Sequence, residues 1–289
     1  MEYLCHIVVL VGLYVIIATS LNLAVGFTGI PALGHSAFYL IGAYTSALLA
    51  LNYGLSPWLT LPLATLVGWI SGWLVGLLST RLGGDFFALA TFSLAVISHS
   101  IANNWVSVTR GPMGLPGIPS LSLGTWQFDS AAKWITLVTG AALVVYELCR
   151  RIIRSPYGRV LKGIREDELA ASSLGIEVQM FKRQVLAFSA ACTGIAGGLY
   201  AYYIAFIDPS SFTPLESFMM LLMVVLGGMG SLGGSVVGAS LLVVIPEALR
   251  FAGLPGELAA PLRQTMYGAI LVILVIYRPQ GLMGQYKWK

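Results

Sequence analysis

Nine stretches of this 289-residue chain are apolar over all or much of a membrane crossing: 3–25, 33–51, 57–79, 86–105, 131–149, 184–206, 216–227, 234–250 and 263–277. A spanning helix needs about 20 mostly apolar residues, because it must carry the chain through roughly 30 Å of hydrocarbon. Punctuating residues stand between the runs, among them Gly29-Ile30-Pro31, Ser56-Pro57, Gly111-Pro112 and Asp208-Pro209. Composition removes the soluble alternative. Hydrophobic residues make up 57% of the chain and charged ones only 10%, whereas soluble domains carry about a quarter charged. In water such a surface would aggregate. The expectation is an all-α polytopic membrane protein, a single transmembrane domain over residues 1–289 with about nine apolar segments. Met1-Glu2-Tyr3 lacks the basic start of a cleavable signal peptide, so the first run reads as a permanent helix.

The basic residues set the orientation. If 150–183 faces the cytoplasm, so do 26–32, 80–85, 228–233 and 278–289, and these segments together hold 12 of the 16 Lys and Arg. Cytoplasmic loops carry such an excess. The opposite loops, including a long one at 106–130, hold only Arg110, Lys133, Arg250 and Arg263. The net charge of +4 follows from this placement and gives no reason to expect a nucleic-acid partner.

Two regions do not read as simple spans. One covers Asn22 to Gly42 and includes Gly26, Thr28, Gly29, Pro31, Gly34 and His35; the other is Gly227, Gly228, Gly230, Gly233 and Gly234. Glycines permit helix breaks and close backbone approach, and broken or re-entrant helices often line a solute path. Asn22, Gly26, Thr28, Gly29, His35, Thr91, Gly227, Gly228 and Gly230 are therefore candidates for that path. Tight helix packing without solute contact stands as the alternative.

Catalytic signatures are missing. The sequence has no GxxxxGK[ST], HExxH or GxSxG. Its three histidines and three cysteines are scattered without ligand-like spacing, so no metal or cofactor is expected on this chain. The acids Asp85, Glu147, Asp208, Glu216, Glu247 and Glu257 fall near run ends or in loops. An ion-coupled carrier usually keeps ionisable groups mid-membrane. Hydroxyls, amides and glycines inside the runs suit a neutral or zwitterionic solute, with energy supplied from elsewhere.

The segment 150–183 carries the clue to that supply. Pro156 suits a helix start and Gly175 its stop, and Val160, Ile164, Ala171 and Leu174 fall at helical spacing, interrupted by Asp167 and Glu168. One short amphipathic helix over about 157–175 is expected, able to fit a groove on a soluble partner. A loop serving topology alone would need only its basic residues.

Ser155-Pro-Tyr-Gly-Arg159, Ile164-Arg-Glu-Asp-Glu-Leu-Ala-Ala-Ser-Ser-Leu-Gly-Ile176 and Phe181-Lys182 resemble the coupling loop of branched-chain amino acid ABC importer permeases, the LivM and LivH type. Asn22-Leu-Ala-Val-Gly-Phe-Thr-Gly29 is similar to the family's N-terminal signature, and Val225 to Ala239 to its late glycine-rich block. Thr109-Arg-Gly-Pro-Met-Gly-Leu-Pro-Gly-Ile-Pro119 resembles the external loop of the LivM half. The resemblance implies a helical fold similar to type II ABC importer permeases in a bacterial inner membrane. It implies a paralogous permease as heterodimer partner, two cytoplasmic ATPases that hold ATP-Mg, and an external solute-binding protein. It makes Arg165, Glu166, Asp167, Glu168, Ala170, Ala171, Gly175 and Lys182 the ATPase-coupling residues, and Arg110 a candidate contact for the binding protein. The Ala170-Ala171-xxx-Gly175 pattern resembles the generic permease loop motif, but Leu169 stands where that motif has its acid. Urea or short-chain amides are the alternative solutes within this family, and an ion-coupled secondary carrier is the rival from another class.

Overall fold

The computed structural model describes residues 2–78, 82–123, 126–128, 130–251 and 280–284, with the single positions 265, 268, 269, 272, 276 and 277. Helix α1 (Glu2–Asn22) runs directly into a π-helical turn, Leu23–Phe27. It is followed by α2 (His35–Tyr53), α3 (Pro57–Leu78), α4 (Gly84–Asn104) and the short α5 (Val106–Thr109). Strand β1 (Leu115–Pro116) and the hairpin of β2 (Ser122–Leu123) and β3 (Trp126–Gln127) precede α6 (Ala131–Arg154), α7 (Pro156–Glu166), α8 (Glu168–Ser173) and α9 (Val178–Ile204). Strand β4 (Phe206–Ile207), α10 (Pro214–Gly227) and α11 (Leu232–Phe251) complete the described elements.

Among the described residues, five segments are long and apolar enough to cross a membrane: 3–27, 57–78, 84–104, 131–154 and 178–204. The 19-residue α2 is polar enough to fall outside that group, and α10 and Leu232–Glu247 are apolar but shorter. The ninth expected run, 263–277, lies mostly outside the described residues. An all-α membrane protein is what these helices form; the count of about nine segments is not reached from them.

Helix α9 is the axis of the bundle. Its small residues Ala190, Ala191, Gly194, Ala196 and Gly197 are all buried, and they let α2 and α3 approach to backbone contact. A Cβ on Gly42 would overlap the Gly194 carbonyl, and one on Gly68 would lie 2.7 Å from the Ala190 carbonyl. Lipid supplies no hydrophobic drive between helices, so this close dispersion contact is what holds such a bundle.

Helices α10 and α11 form an antiparallel hairpin, with Gly227 against Gly234 and Gly238 against the Met223 carbonyl. At about 1.5 Å per residue α10 is only about 21 Å long. Its first turn packs on α1, α2 and α4. Ser217 Oγ donates to Ser36 Oγ (2.8 Å) and accepts from the Ser36 amide (2.9 Å), while Phe218 packs on Phe92, halfway along α4, at 5.2 Å between centroids. The run end at Glu216, expected near the membrane surface, is therefore an end at depth. Tyr14, midway along α1, donates to Glu216 at 3.0 Å. Just before α10, the fully buried Phe212 sits among the rings of Tyr39, Tyr44 and Tyr200.

Several of the breaks between helices meet at one end of the molecule. Gly29 lies against Arg165, Pro31 against Gly84, and Leu282 and Met283 donate backbone hydrogen bonds to Leu226 and Gly227. At the opposite end β1 pairs antiparallel with β4, Leu115 facing Ile207.

Candidate functional site

The charged loop folds as two helices. Ser155 caps α7, its Oγ accepting from the Gly158 amide at 3.4 Å, with Pro156 in the first turn. At Asp167 the backbone becomes extended (φ −154°, ψ 108°) and the carboxylate accepts from the amides of Leu169 (2.9 Å) and Ala170 (3.0 Å). That cap restarts the chain as α8, because an aspartate satisfies the free amides of a new helix better than it continues an old one. The single helix expected over 157–175 is thus corrected to a pair broken at the residue that interrupted its apolar stripe. Gly175 follows α8 at φ +83°, a left-handed conformation that a side chain disfavours.

Of the expected stripe, Ile164 and Ala171 are buried together with Val178, and Val160 packs against them. Leu174 is not part of it: 81% of Leu174 and 83% of Leu169 are exposed. Leu169 lines a surface hollow of about 710 Å³ whose walls also include Glu168, Ile176, Gln179, Met180 and Arg183. Glu166, Asp167, Glu168 and Ala170 are exposed as well. Lys182 ties α8 to α9 through a 2.6 Å ion pair with Glu168. The sequence reading missed Leu169 and Leu174 as a pair; their signal was apolar side chains inside the most charged segment of the chain.

Beneath α7 lies the π-turn of α1. Leu23, Ala24 and Phe27 are buried with Leu161 and Val185, and the Lys162 ammonium stands 5.9 Å from the Phe27 ring centre. Tyr157 stacks near Phe181 (4.9 Å) and donates to Gln184 Oε1 at 3.0 Å. Burial pushes the Tyr157 phenol up to about 12, so it keeps its proton across the biological pH range. A π-turn inside an α-helix is rare and recurs at functional positions. Here Thr28 closes it, its Oγ1 donating to the Leu23 carbonyl at 2.9 Å.

Asn22, fully buried, joins the two glycine-rich regions. Its Oδ1 accepts from the Gly230 amide (3.0 Å), and its Nδ2 donates to the Ser231 carbonyl (2.8 Å) and to Ser235 Oγ (2.6 Å). Gly26 must lack a side chain, since a Cβ there would overlap Asn22 Oδ1. Gly227 and Gly228 lie next to this knot, Gly228 at φ +116° against Gly284. Gly29 is exposed beside Arg165. His35 and Thr91 form a neighbouring contact set: His35 Nε2 pairs with Ser189 Oγ at 2.8 Å, and Thr91 Oγ1 accepts from the Leu33 amide at 3.0 Å. Arg110 stands apart, exposed at the opposite end at φ +59°. No group of metal-ligating side chains occurs among the described residues.

The knot, the π-turn and α7 form one continuous contact from the exposed loop into the bundle. A family profile for the branched-chain amino acid transport system permease component matches residues 3–275. The chain belongs to that family of transport permeases. It is 37% identical to the high-affinity branched-chain amino acid transport system permease protein LivM of Salmonella typhimurium, over 94% of this chain and 68% of that protein. Its identity to LivM of Escherichia coli is also 37%, over 96% and 69%. To LivH of Salmonella typhimurium it is 26% identical, over 94% and 91%. No solved structure matches.

Proposed function

We propose that this chain is the membrane-spanning permease subunit of an ATP-binding cassette importer that carries branched-chain amino acids across a bacterial inner membrane. The observation that carries the reading is the seating of α7 on the π-turn of α1, with Asn22 holding Gly230 beyond it. The α7–α8 loop faces the cytoplasm and docks an ATPase subunit through the exposed Leu169 and Leu174 and the hollow that Leu169 lines. Two such ATPases bind ATP-Mg; this chain binds none. When they close, α7 moves as a lever. Ile164 and Ala171 hold α7 and α8 to α9, while Leu161 presses on Leu23, Ala24 and Phe27.

Displacement then reaches the α10–α11 turn through the Asn22 hydrogen bonds. Glu168 and Lys182 keep α8 in register with α9, and Asp167, with Gly175, gives the loop its two bends. Arg165, against Gly29, couples the loop to the segment leading into α2. Glu166 and Ala170 belong to the exposed docking face. At the opposite end Arg110 and its loop meet the solute-binding protein, and a paralogous permease completes the membrane unit.

Reconstitution in vesicles tests this. Uptake of leucine, isoleucine or valine is expected only with the ATPases, a binding protein and ATP present. Uptake by this chain alone on an ion gradient would overturn the importer reading. Uptake of urea or acetamide in preference to leucine would overturn the substrate.

A further inference from the structure

Helix α1 carries two neighbours that do not close on each other. Gly12 lets α6 seat on it, since a Cβ there would stand 2.5 Å from Val138 Cγ1. Helix α11 packs on another side of α1 and hardly touches α6. Between the three helices lies a groove of about 540 Å³. It follows α1 from Val8 to Val15, α6 from Thr139 to Tyr146 and α11 from Gly233 to Ser240, with Met283 beside the start of α11. Each of these stretches is about 10 Å of helix, roughly two thirds of the hydrocarbon depth of one leaflet. Apart from Thr139, Tyr146 and Ser240, the walls are aliphatic, glycine or methionine. Ser240 Oγ donates to its own helix, to the Val236 carbonyl at 2.8 Å. The groove is open: Leu143 is 64% exposed, and a Cβ on Gly233 would meet nothing within 4 Å. Such a surface favours hydrocarbon over water.

Its cytoplasmic end sets this groove apart from an uncovered apolar face such as that of α3. Thr139, Leu143, Tyr146 and Arg150 follow at steps of four, three and four, one line along α6. Tyr146 stands where aromatic rings mark the membrane interface. Arg150 lies one turn beyond it, and Arg154 one turn further. Arg150 and Arg151 share Glu147, at 3.2 and 3.4 Å. Arg154 is exposed and makes no ion pair among the described residues. Three guanidinium groups therefore stand against one carboxylate, and guanidinium binds phosphate through paired N–H donors.

We infer that this groove is a binding site for an anionic phospholipid of the cytoplasmic leaflet, with one acyl chain between α1, α6 and α11 and the headgroup phosphate at Arg150 and Arg154. The charge balance selects the anionic lipid, because a zwitterionic headgroup brings its own ammonium into the arginine cluster. The seated chain braces α11 against α6 two residues from Ser231, whose carbonyl Asn22 holds. The headgroup lies at the root of α7. The inference goes beyond the importer reading and does not depend on it; it needs only the membrane and the inward placement of the arginines.

The test reconstitutes the complete importer in vesicles of phosphatidylethanolamine with a minority of phosphatidylglycerol. The photocrosslinking residue p-benzoylphenylalanine is placed at Leu143 or, for comparison, at Leu74 on the exposed face of α3. Mass spectrometry of the adducts at Leu143 should show phosphatidylglycerol enriched about fivefold or more over its share of the bilayer, the effect of at least one engaged arginine. Adducts at Leu74 should match that share. Arg150→Gln combined with Arg154→Gln should abolish the enrichment while lipid adducts persist. Gly233→Leu keeps every arginine and fills the open floor of the groove, so it should abolish the enrichment as well, and it keeps the test decisive if the arginine variant fails to insert. Enrichment that is absent at Leu143 or equal at Leu74 overturns the site. Survival in the arginine variant overturns the headgroup contact, and survival in Gly233→Leu overturns the groove. An adduct between Leu143 and a peptide, whether of a second permease or of this chain, overturns the lipid as occupant. ATP-driven leucine uptake by the unsubstituted complex reports on the importer reading separately.

Discussion

The chain interrupts its helices in two very different ways, at Asn22 and at Asp167. Asp167 is exposed, and its carboxylate accepts from amides two and three residues ahead. Asn22 is fully buried, and it accepts from an amide 208 residues away. Both side chains hold a break open. Water can replace the first set of bonds at little cost, whereas nothing replaces the second. A helix break buried among other helices must therefore be fully hydrogen-bonded, and one at the surface need only be shaped.

Removing Asn22 should have the largest effect. Asn22→Ala leaves the Gly230 amide buried without its acceptor and removes both donated bonds, a loss of about 3 kcal/mol or more. The purified permease should unfold at a clearly lower temperature in detergent, and uptake should fall with it. A variant as stable as the parent would show that this buried break tolerates solvent. Gly26→Ala attacks the same knot by overlap, since the new Cβ would meet Asn22 Oδ1 and stand 2.6 Å from the Gly230 nitrogen. Overpacking of this kind costs about 2 kcal/mol. If Gly26→Ala and Asn22→Ala combined cost no more than the larger single change, one shared contact is being broken twice.

The same contrast explains what could be read from the sequence. The surface loop was legible at Ser155-Pro156, Asp167-Glu168 and Gly175 because caps and turns act on neighbours. Its error was to run the helix through Asp167, where apolar spacing and capping chemistry conflict and the cap wins. The apolar run from 184 begins inside α9, which starts earlier, at Val178. Lys182 and Arg183 dilute its first two turns, and hydropathy follows lipid contact, which a helix can precede. Both glycine-rich regions were visible, but their meeting was not: an asparagine paired across 208 residues leaves no local trace. The depth of α10 was hidden for a related reason. A run end looks the same whether it reaches the membrane surface or stops among Ser36, Phe92 and Tyr14.

Asp167→Ala should fall well below the buried knot. Loss of one N-cap costs about 1 kcal/mol, and it falls on the six-residue α8 alone. Trypsin should then cut faster at Arg165, while the melting temperature of the permease stays close to that of the parent. A drop as large as that of Asn22→Ala would mean that α8 is part of the buried knot after all, and the distinction between the two breaks would fail.

The smallest change expected is Glu168→Gln. Its partner Lys182 is mostly covered but Glu168 is about half exposed, with side-chain exposures of 16% and 45%. Pairs of this kind contribute about 0.5 kcal/mol and weaken in salt. The difference in melting temperature from the parent should therefore be slight and should vanish near molar salt. What the substitution can still change is registration. With the 2.6 Å clamp gone, α8 can slide on α9 without unfolding, so coupling should suffer more than stability. Reduced leucine uptake at unchanged melting temperature would mark the surface break as a mechanical joint. Loss of both together, persisting in high salt, would place Glu168 in the same class as Asn22.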